Sequence, residues 1–418
     1  MSYKENRNWL VLLVFIISVF SILYIINIFF TFGLIFWEIA FIALIPNTIM
    51  IVWAVRRILG VKKFRIPKYR HRLVVFSLIT LVIFNIFAMI PYFMVGPSGV
   101  QFENLFKVKL GSNYLNEIPA DYRNRLQPSG MYLYPGRLLT YLNPTVTVQS
   151  NIVYGTDNPY QLFDKYEDTS IPGTNKPAII FIHGGGAAGV NYKDTIYCVW
   201  TCKYFASLGF ICFSIEYTLA SVSPFPTGVK DVRTAIVHIK ENAVTYNINA
   251  SQIVLMGPSR GGHLSTLAAY TGVQNDSWWR ANGGDFNKTQ LEVACIVDLY
   301  GAVDPITSFQ SSFLMTYINT KLFGVSYYSN PDIYNRHVVK NYVSSDCPPT
   351  LIVQGTIDGL VSAKESRDLA VTLDTVGAFN IYLEVPFGQH GFDEIPGTAG
   401  NLLTYYFVPR FILSVLFG

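Results

Sequence analysis

The chain has 418 residues, 51% of them hydrophobic and only 14% charged, with 31 Lys and Arg against 27 Asp and Glu. That length holds one large domain plus extra segments. Ten of the basic residues and two of the acidic ones precede Pro97, which leaves 21 basic against 25 acidic in the remainder and excludes a nucleic-acid-binding surface there.

The N-terminal quarter carries much of the apolar excess. Between Trp9 and Val55 there is one acid, Glu38, and no Lys or Arg, and between Leu73 and Gly96 there is no charge at all. A bilayer core takes roughly 20 apolar residues at ~1.5 Å each, so the first run is about twice the length of one span. It reads as a hairpin: a span over Trp9–Ile28, a turn near Asn27–Gly33 and a second span over Leu34–Val55. A third span covers Leu73–Val95. A cleaved signal peptide is the competing reading of the first span, but no small-residue cleavage site follows it. Arg56, Arg57, Lys62, Lys63, Arg65, Lys68, Arg70 and Arg72 lie between spans two and three with no acid among them. By the positive-inside rule this loop is cytoplasmic, which puts the N-terminus inside and everything after Gly96 outside. The triplets Asn249-Ala250-Ser251, Asn275-Asp276-Ser277 and Asn287-Lys288-Thr289 are glycosylation sequons in that outer portion, and the first two fall in expected surface turns. All five cysteines (Cys198, Cys202, Cys212, Cys295, Cys347) lie there too, without Cys-x-x-Cys or metal-ligand spacing, so no metal is expected and disulfides are not assignable.

Three regions follow: a membrane region 1–96, a connector 97–144 and a domain 145–418. In the connector, Phe102, Leu105, Phe106 and Leu110 predict a short amphipathic helix, which Pro119, Pro128 and Pro135 keep short. From Thr145 the texture alternates. Strands are predicted at Thr145–Tyr154, Leu162–Tyr166, Ala178–Ile182, Phe210–Ile215, Ile253–Met256, Val293–Leu299, Thr350–Gln354 and Ile381–Val385. Helices are predicted at Thr195–Leu208, Val229–Tyr246, Leu264–Tyr270 and Ala363–Thr375. Repeated βα units with continuously apolar strands make a mostly parallel sheet covered by helices on both faces, an α/β fold. The segment 305–341 interrupts the rhythm and reads as a lid, with Phe309, Phe313, Leu314, Tyr317, Tyr327 and Tyr328 as its pocket lining. Leu402–Phe417 is apolar enough for a fourth span, but Pro409 and Arg410 in its middle argue for a packed surface helix.

The chemistry centres on Gly257-Pro258-Ser259-Arg260-Gly261. A buried strand that turns at once into a helix leaves Ser259 exposed at the apex, and the glycines supply room for so sharp a turn. The helix N-terminus points free N–H groups at any negative charge forming near the serine. After the strand ending at Ile182 comes His183-Gly184-Gly185-Gly186. Two glycine N–H groups from Gly184, Gly185 and Gly186, with the N–H of Arg260, make an oxyanion hole of the kind a tetrahedral acyl intermediate needs. His183 is read as holding the loop. His390, in the loop after the last strand, is the base, with His337 in the lid as runner-up. Asp358, at the end of the preceding strand, is the orienting acid. Asp393 and Glu394 are read as solvated loop charges.

From about Thr145 onward these motifs resemble the α/β-hydrolase carboxylesterases of the hormone-sensitive lipase, arylacetamide deacetylase and prenylcysteine methylesterase group. The order Ser259, Asp358, His390 is that of the family. Glu216-Tyr217-Thr218-Leu219-Ala220 is similar to its Asp-Tyr-Arg-Leu-Ala segment, Phe225-Pro226 follows at the family's distance, and Asp231-Val232-Arg233-Thr234-Ala235 matches the helix before the serine strand. The chain departs at Thr218, where the family has an arginine, and at Arg260, where it has a small or acidic residue; the charge of Arg260 points to an anionic or polar acyl substrate. The resemblance implies hydrolysis of a carboxylic ester with no cofactor; it does not cover the first quarter, whose predicted spans put the site near a bilayer and so invite a lipid ester beside a small-molecule one, while the charge balance argues against a nucleic-acid partner. Acyl transfer through the same acyl-enzyme and a non-catalytic adhesion or scaffold protein are the alternatives.

Overall fold

The computed structural model describes residues 51–52, 68–133, 145–185, 192–274, 276–311 and 313–418. The expected spans Trp9–Ile28 and Leu34–Val55, the basic loop up to residue 67, Gly186 and Asn275 lie outside the described residues, Val52 and its neighbour apart.

Eight strands form one sheet in the order β1-β2-β4-β3-β5-β6-β7-β8. They are β1 (Val146–Val153), β2 (Leu162–Asp168), β3 (Lys176–Ile182), β4 (Ile211–Ile215), β5 (Ile248–Pro258), β6 (Cys295–Leu299), β7 (Thr350–Gly355) and β8 (Asn380–Val385). β1 and β2 pair antiparallel, β2 meets β4 antiparallel, and every later pair is parallel. β5, which carries Ser259 at its end, is therefore central. It starts at Ile248, earlier than its apolar run, so Asn249 is half-buried at the head of a strand and not in a surface turn. Its Oδ1 accepts from the Ser251 N–H at 3.0 Å.

The strands are apolar throughout because helices cover both faces. The period of two divides their side chains between the layers. Ile179, Phe181, Val254 and Met256 enter one hydrophobic cluster, and Ala178, Ile180, Ile182, Ile253 and Leu255 enter the other. The first face is covered by α1 (Lys68–Leu110), α2 (Ile196–Ser207) and α9 (Ala399–Phe417). The second is covered by α3 (Thr227–Glu241), α4 (Arg260–Val273) and α8 (Ala363–Thr375), with α5 (Pro305–Ser311), α6 (Phe313–Phe323) and α7 (Pro331–His337) built over the site end.

Two helices differ from expectation. α1 joins the third expected span to the connector helix in one run of 43 residues, with Pro91 and Pro97 inside it. Its C-terminal part is tied into the domain: Phe102 and Phe106 pack on Phe407 with centroids 5.5 and 5.1 Å apart, and the Tyr92 hydroxyl donates to the Gly397 carbonyl at 3.1 Å. α9 is not a surface helix. It is buried from Ala399 to Ser414 against the sheet, and Arg410 is accommodated by donating to the Tyr406 carbonyl at 2.7 Å with its guanidinium over the Tyr406 ring. A long aliphatic stem lets an arginine sit in such a layer when its terminal nitrogens are met, as here by the Tyr406 and Gln127 carbonyls, while Nε has no partner among the described residues. α1 and α9 are the two helices, among the described residues, long and apolar enough to cross a membrane, although α9 is mostly buried inside the protein.

Candidate active site

β5 ends in a turn that only glycine permits. A β-carbon at Gly257 or at Gly261 would collide with the carbonyl oxygen of Ile182 on β3. Ser259 itself is held at φ 54°, ψ −120°, in the left-handed region where a serine is strained, and its N–H donates to the Leu299 carbonyl at 2.7 Å. This fixes the hydroxyl at the sheet's C-terminal edge and directs the first N–H groups of α4 toward it.

The loops after β7 and β8 bring the partners in. They touch at Gly355 and Gly388, where a β-carbon on Gly355 would collide with the Gly388 carbonyl, and the Ile357 N–H donates to that same carbonyl at 3.1 Å. Asp358 Oδ1 accepts the N–H groups of Leu360 and Val361 at 2.8 and 2.9 Å, and Oδ2 accepts Gln354 Nε2 at 3.1 Å and His390 Nδ1 at 2.9 Å. An ionised carboxylate only accepts, so the proton sits on Nδ1. Nε2 is then free to accept from the Ser259 hydroxyl, 2.9 Å away. Burial alone would lower the pKa of His390, but the charge and hydrogen bond of Asp358, with Glu394 and Asp393 behind it, hold the imidazole above its ordinary value.

The glycine loop is clamped from below. His183 stacks between Tyr217 and Tyr192, at 4.3 and 5.1 Å between centroids, and its Nε2 lies 3.0 Å from Glu216 Oε1. Burial pushes the Glu216 carboxyl up, and the His183 bond and the Lys193 N–H outweigh it and bring it below its ordinary value. His183 is thus occupied in holding the loop. Gly184 passes so close to β5 that a β-carbon there would lie 3.0 Å from the Pro258 carbonyl oxygen, and Gly185 takes φ 82°. The backbone at Gly184 and Gly185 therefore runs beside Ser259; Gly186 is not among the described residues.

A model of the BD-FAE family matches residues 164–373, from β2 into α8. The chain belongs to the BD-FAE family. Among its curated relatives, esterase LipC of Mycobacterium tuberculosis is 27% identical over 249 residues, covering 59% of this chain and 60% of the relative. Neutral cholesterol ester hydrolase 1 of Rattus norvegicus is 25% identical over 241 residues, covering 54% and 57%. The chain spans about 60% of the length of the curated relatives it matches first. Among solved structures, a hyperthermophilic esterase from the archaeon Pyrobaculum calidifontis aligns with a TM-score of 0.54 at 20% identity, over 68% of this chain and 90% of that one. A truncated carbohydrate esterase from gut microbiota aligns at 0.51 and 24%, over 63% and 96%. These structures share the α/β-hydrolase fold seen here.

The BD-FAE region and its flanks hold site features that sequence reasoning placed differently. Asp393 is not a solvated charge. It is fully buried and accepts the hydroxyls of Tyr197 and Tyr300 at 2.6 Å each. The Tyr300 ring in turn stands edge-on to His390, 4.9 Å between centroids. Glu394 is half-buried, and burial together with the neighbouring Asp393 raises its carboxyl to about 7. Thr218 leaves Asp231 without an arginine partner, and Asp231 is instead satisfied by the Thr218 N–H at 2.8 Å, Gln161 Nε2 at 2.8 Å and Asn158 Nδ2 at 3.2 Å. His337, the other candidate base, is buried between Phe225 and Phe323 and faces His263, Nδ1 to Nε2 3.4 Å.

A cavity of ≈ 210 Å³ opens beside Ser259. Its apolar wall comes from Met315, Ile318, Leu322 and Phe323 on α6, with Leu360 and Val361 opposite. The expected lining residues lie elsewhere: Tyr317 and Tyr328 face solvent, Phe309 is buried against Tyr327 and Tyr334, and the side chains of Phe313 and Leu314 are not described. What the segment contributes to the cavity lining is Pro305 and the α6 residues Met315, Ile318, Asn319, Leu322 and Phe323.

Proposed function

We propose that this chain is a membrane-anchored serine hydrolase that cleaves a carboxylic ester through an acyl-enzyme on Ser259. The observation that carries it is the hydrogen-bonded series Ser259 Oγ, His390 and Asp358, each link 2.9 Å, beside the glycine backbone of the β3 loop. Ser259 attacks the ester carbonyl while His390 Nε2 takes its proton. The negative oxygen is met by N–H groups of the glycine loop (Gly184, Gly185, Gly186) and of Arg260. His390 returns the proton to the departing alcohol, then deprotonates a water that attacks the acyl-enzyme and releases the acid and free Ser259. Asp358 keeps Nδ1 protonated and stabilises the imidazolium. The names of the curated relatives, esterases and a cholesterol ester hydrolase, support an ester with an apolar body, as does the cavity wall.

The anchoring reading rests on α1. Its face of Phe76, Ile79, Ile83, Ile86 and Phe93 is exposed, and its C-terminal half is built into the catalytic core through Phe407. Lipid is the occupant that suits a helix whose stretch from Leu73 to Gly96 carries no charge and which is preceded by two further apolar runs and a basic loop. With three spans the domain holding Ser259 lies outside the cytoplasm. Fluorophosphonate labelling and hydrolysis of short-chain esters test the chemistry; both should vanish in Ser259→Ala, and labelling that persisted would refute the assignment. Protease added to sealed vesicles of known orientation tests the topology, and cleavage of the domain only from the cytoplasmic side would reverse it.

A further inference from the structure

The side chain of Arg260 has no role in the chemistry just described, yet it lines the cavity beside Ser259. Among the described residues no carboxylate lies within 4.0 Å of it, and its one side-chain hydrogen bond is from Nη1 to His263 Nδ1, 3.1 Å. Residues 186–191, the stretch of the adjoining loop that is not described, contain no acid. A guanidinium brought out of bulk water without a counter-ion is costly. Here burial brings it down from 12.5 to about 10, which still leaves it charged at neutral pH.

The cation is also held in place. An arginine only donates, so His263 Nδ1 must accept from Nη1, and the His263 proton sits on Nε2, donated to the His337 carbonyl at 3.0 Å. Burial and the neighbouring Arg260 charge take the His263 pKa down to about 3, so the imidazole remains a neutral acceptor across the physiological range. His263 is itself stacked on His337, 5.1 Å between centroids, in the packed second layer. The result is a fixed fork with unused donors at the edge of a cavity whose lining is mostly apolar, Met315, Ile318, Leu322 and Phe323 among it, with Ser259, His263 and Asn319 as the other polar side chains. Planar pairing with a carboxylate is what such a fork does best.

We infer that Arg260 is a specificity-determining residue that selects esters carrying a carboxylate near the scissile carbonyl on an otherwise apolar body. This rests on the esterase reading above and narrows its substrate class. The carboxylate belongs either to the acyl part, as in a half-ester of a dicarboxylic acid, or to the alcohol part, as in the ester of a hydroxy acid. Two pairs of probes separate these: 4-nitrophenyl butyrate beside the 4-nitrophenyl half-ester of glutaric acid, and phenyl butyrate beside the butyrate ester of 3-hydroxybenzoic acid. In the full-length protein one of the two anionic probes should exceed its neutral partner in kcat/KM by about tenfold or more, and that preference should weaken as salt rises. Arg260→Met should bring the ratio to one or below, Arg260→Lys should retain part of it, and Arg260→Glu should reverse it in favour of an ester bearing a trimethylammonium group. The ratio is the readout because the Arg260 N–H also serves the oxyanion, so total rates will change. Should the variants fail to fold, competitive inhibition of wild-type butyrate hydrolysis by hexanoate, stronger than by hexanol, gives the same answer. An enzyme active on neutral esters whose ratio is at or below one, with hexanoate no better than hexanol, overturns this inference alone. An enzyme inert on every ester overturns the esterase reading and this inference with it.

Discussion

The loops at the C-terminal edge of the sheet and the aromatic layer on the α1–α9 face are both buried, and they are built on opposite terms. In the loops the polar side-chain atoms of Asp358 and His390 are all hydrogen-bonded. Asp358 accepts four donors, and His390 spends both ring nitrogens. Glycines stand where any side chain would collide. In the α1–α9 layer Phe102, Phe106, Tyr132, Tyr406 and Phe407 meet at about the same spacing, 4.7 to 6.1 Å, edge-on or tilted except for the stacked Tyr132–Phe407 pair, with few directional bonds. A packed apolar layer depends on filled volume, whereas a hydrogen-bonded series depends on each member. Turnover and stability should therefore separate cleanly between the two regions.

The largest effect belongs to the loops. Ser259→Ala should reduce ester turnover by about 10⁴–10⁶ while thermal unfolding moves little, since the side chain removed is one hydroxyl at the sheet's edge. A large drop in Tm with this variant would show that the strained turn depends on the hydroxyl and would break the contrast.

Asp358→Asn comes next. An amide at this position cannot keep the imidazole in the required tautomer, and the loss in kcat should be about 10⁴. The sign of its pH effect is fixed. The Asp358 charge raises the His390 pKa against burial, so removing it lets burial lower that pKa. Because the base must be neutral, the acid limb of kcat/KM should move to lower pH in the residual activity, while in the wild type it lies above the ordinary imidazole value. A limb that stayed in place would mean that another carboxylate orients His390.

In the aromatic layer, Phe407→Ala removes a ring that touches Phe102, Phe106, Tyr132 and Tyr406. It should cost about 3–5 kcal/mol in unfolding free energy and leave kcat of the folded fraction within a small factor. Chemical denaturation followed beside active-site titration makes the comparison. A proportional loss of kcat per titrated site would show that α1 and α9 position the loops and do not merely support them.

The same contrast explains what was legible in the sequence. Ser259, His390 and Asp358 stand out because an acyl-transfer reading asks for particular residue types next to particular strands, and the structure brings the three side chains within hydrogen-bonding distance. The strands stood out through apolar runs such as Ala178–Ile182. The layer did not. Periodicity distinguishes a helix with one apolar face, but α9 is apolar all round, and nothing local tells whether its cover is lipid or protein. α1 continued through Pro97 because the helix there is held by contacts to Phe407, more than 300 residues away. Lid residues were assigned by composition, while the face of α6 that meets the cavity is set by tertiary packing, which selects Met315 and Ile318 over Tyr317.

Asp393 belongs to both regions and offers the smallest and sharpest test. Its carboxylate takes the hydroxyls of Tyr197 on α2 and Tyr300 beside His390, and its backbone carbonyl accepts Asn401 Nδ2 from α9 at 2.7 Å. It joins the packed layer to the loop that carries His390. In Asp393→Asn one acceptor oxygen becomes a donor facing a tyrosine hydroxyl, a mismatch worth about 1–3 kcal/mol of stability. The lost charge also helps hold His390 above its ordinary pKa, less strongly than Asp358 does. The acid limb should therefore shift downward by less than it does in Asp358→Asn, with most of kcat retained. Denaturation and a pH profile on the same preparation decide the point. A stability loss with no movement of the limb assigns Asp393 to the layer alone. A moved limb with unchanged stability assigns it to the loop alone. Both together show that the two regions, built on different terms, are joined through this one carboxylate.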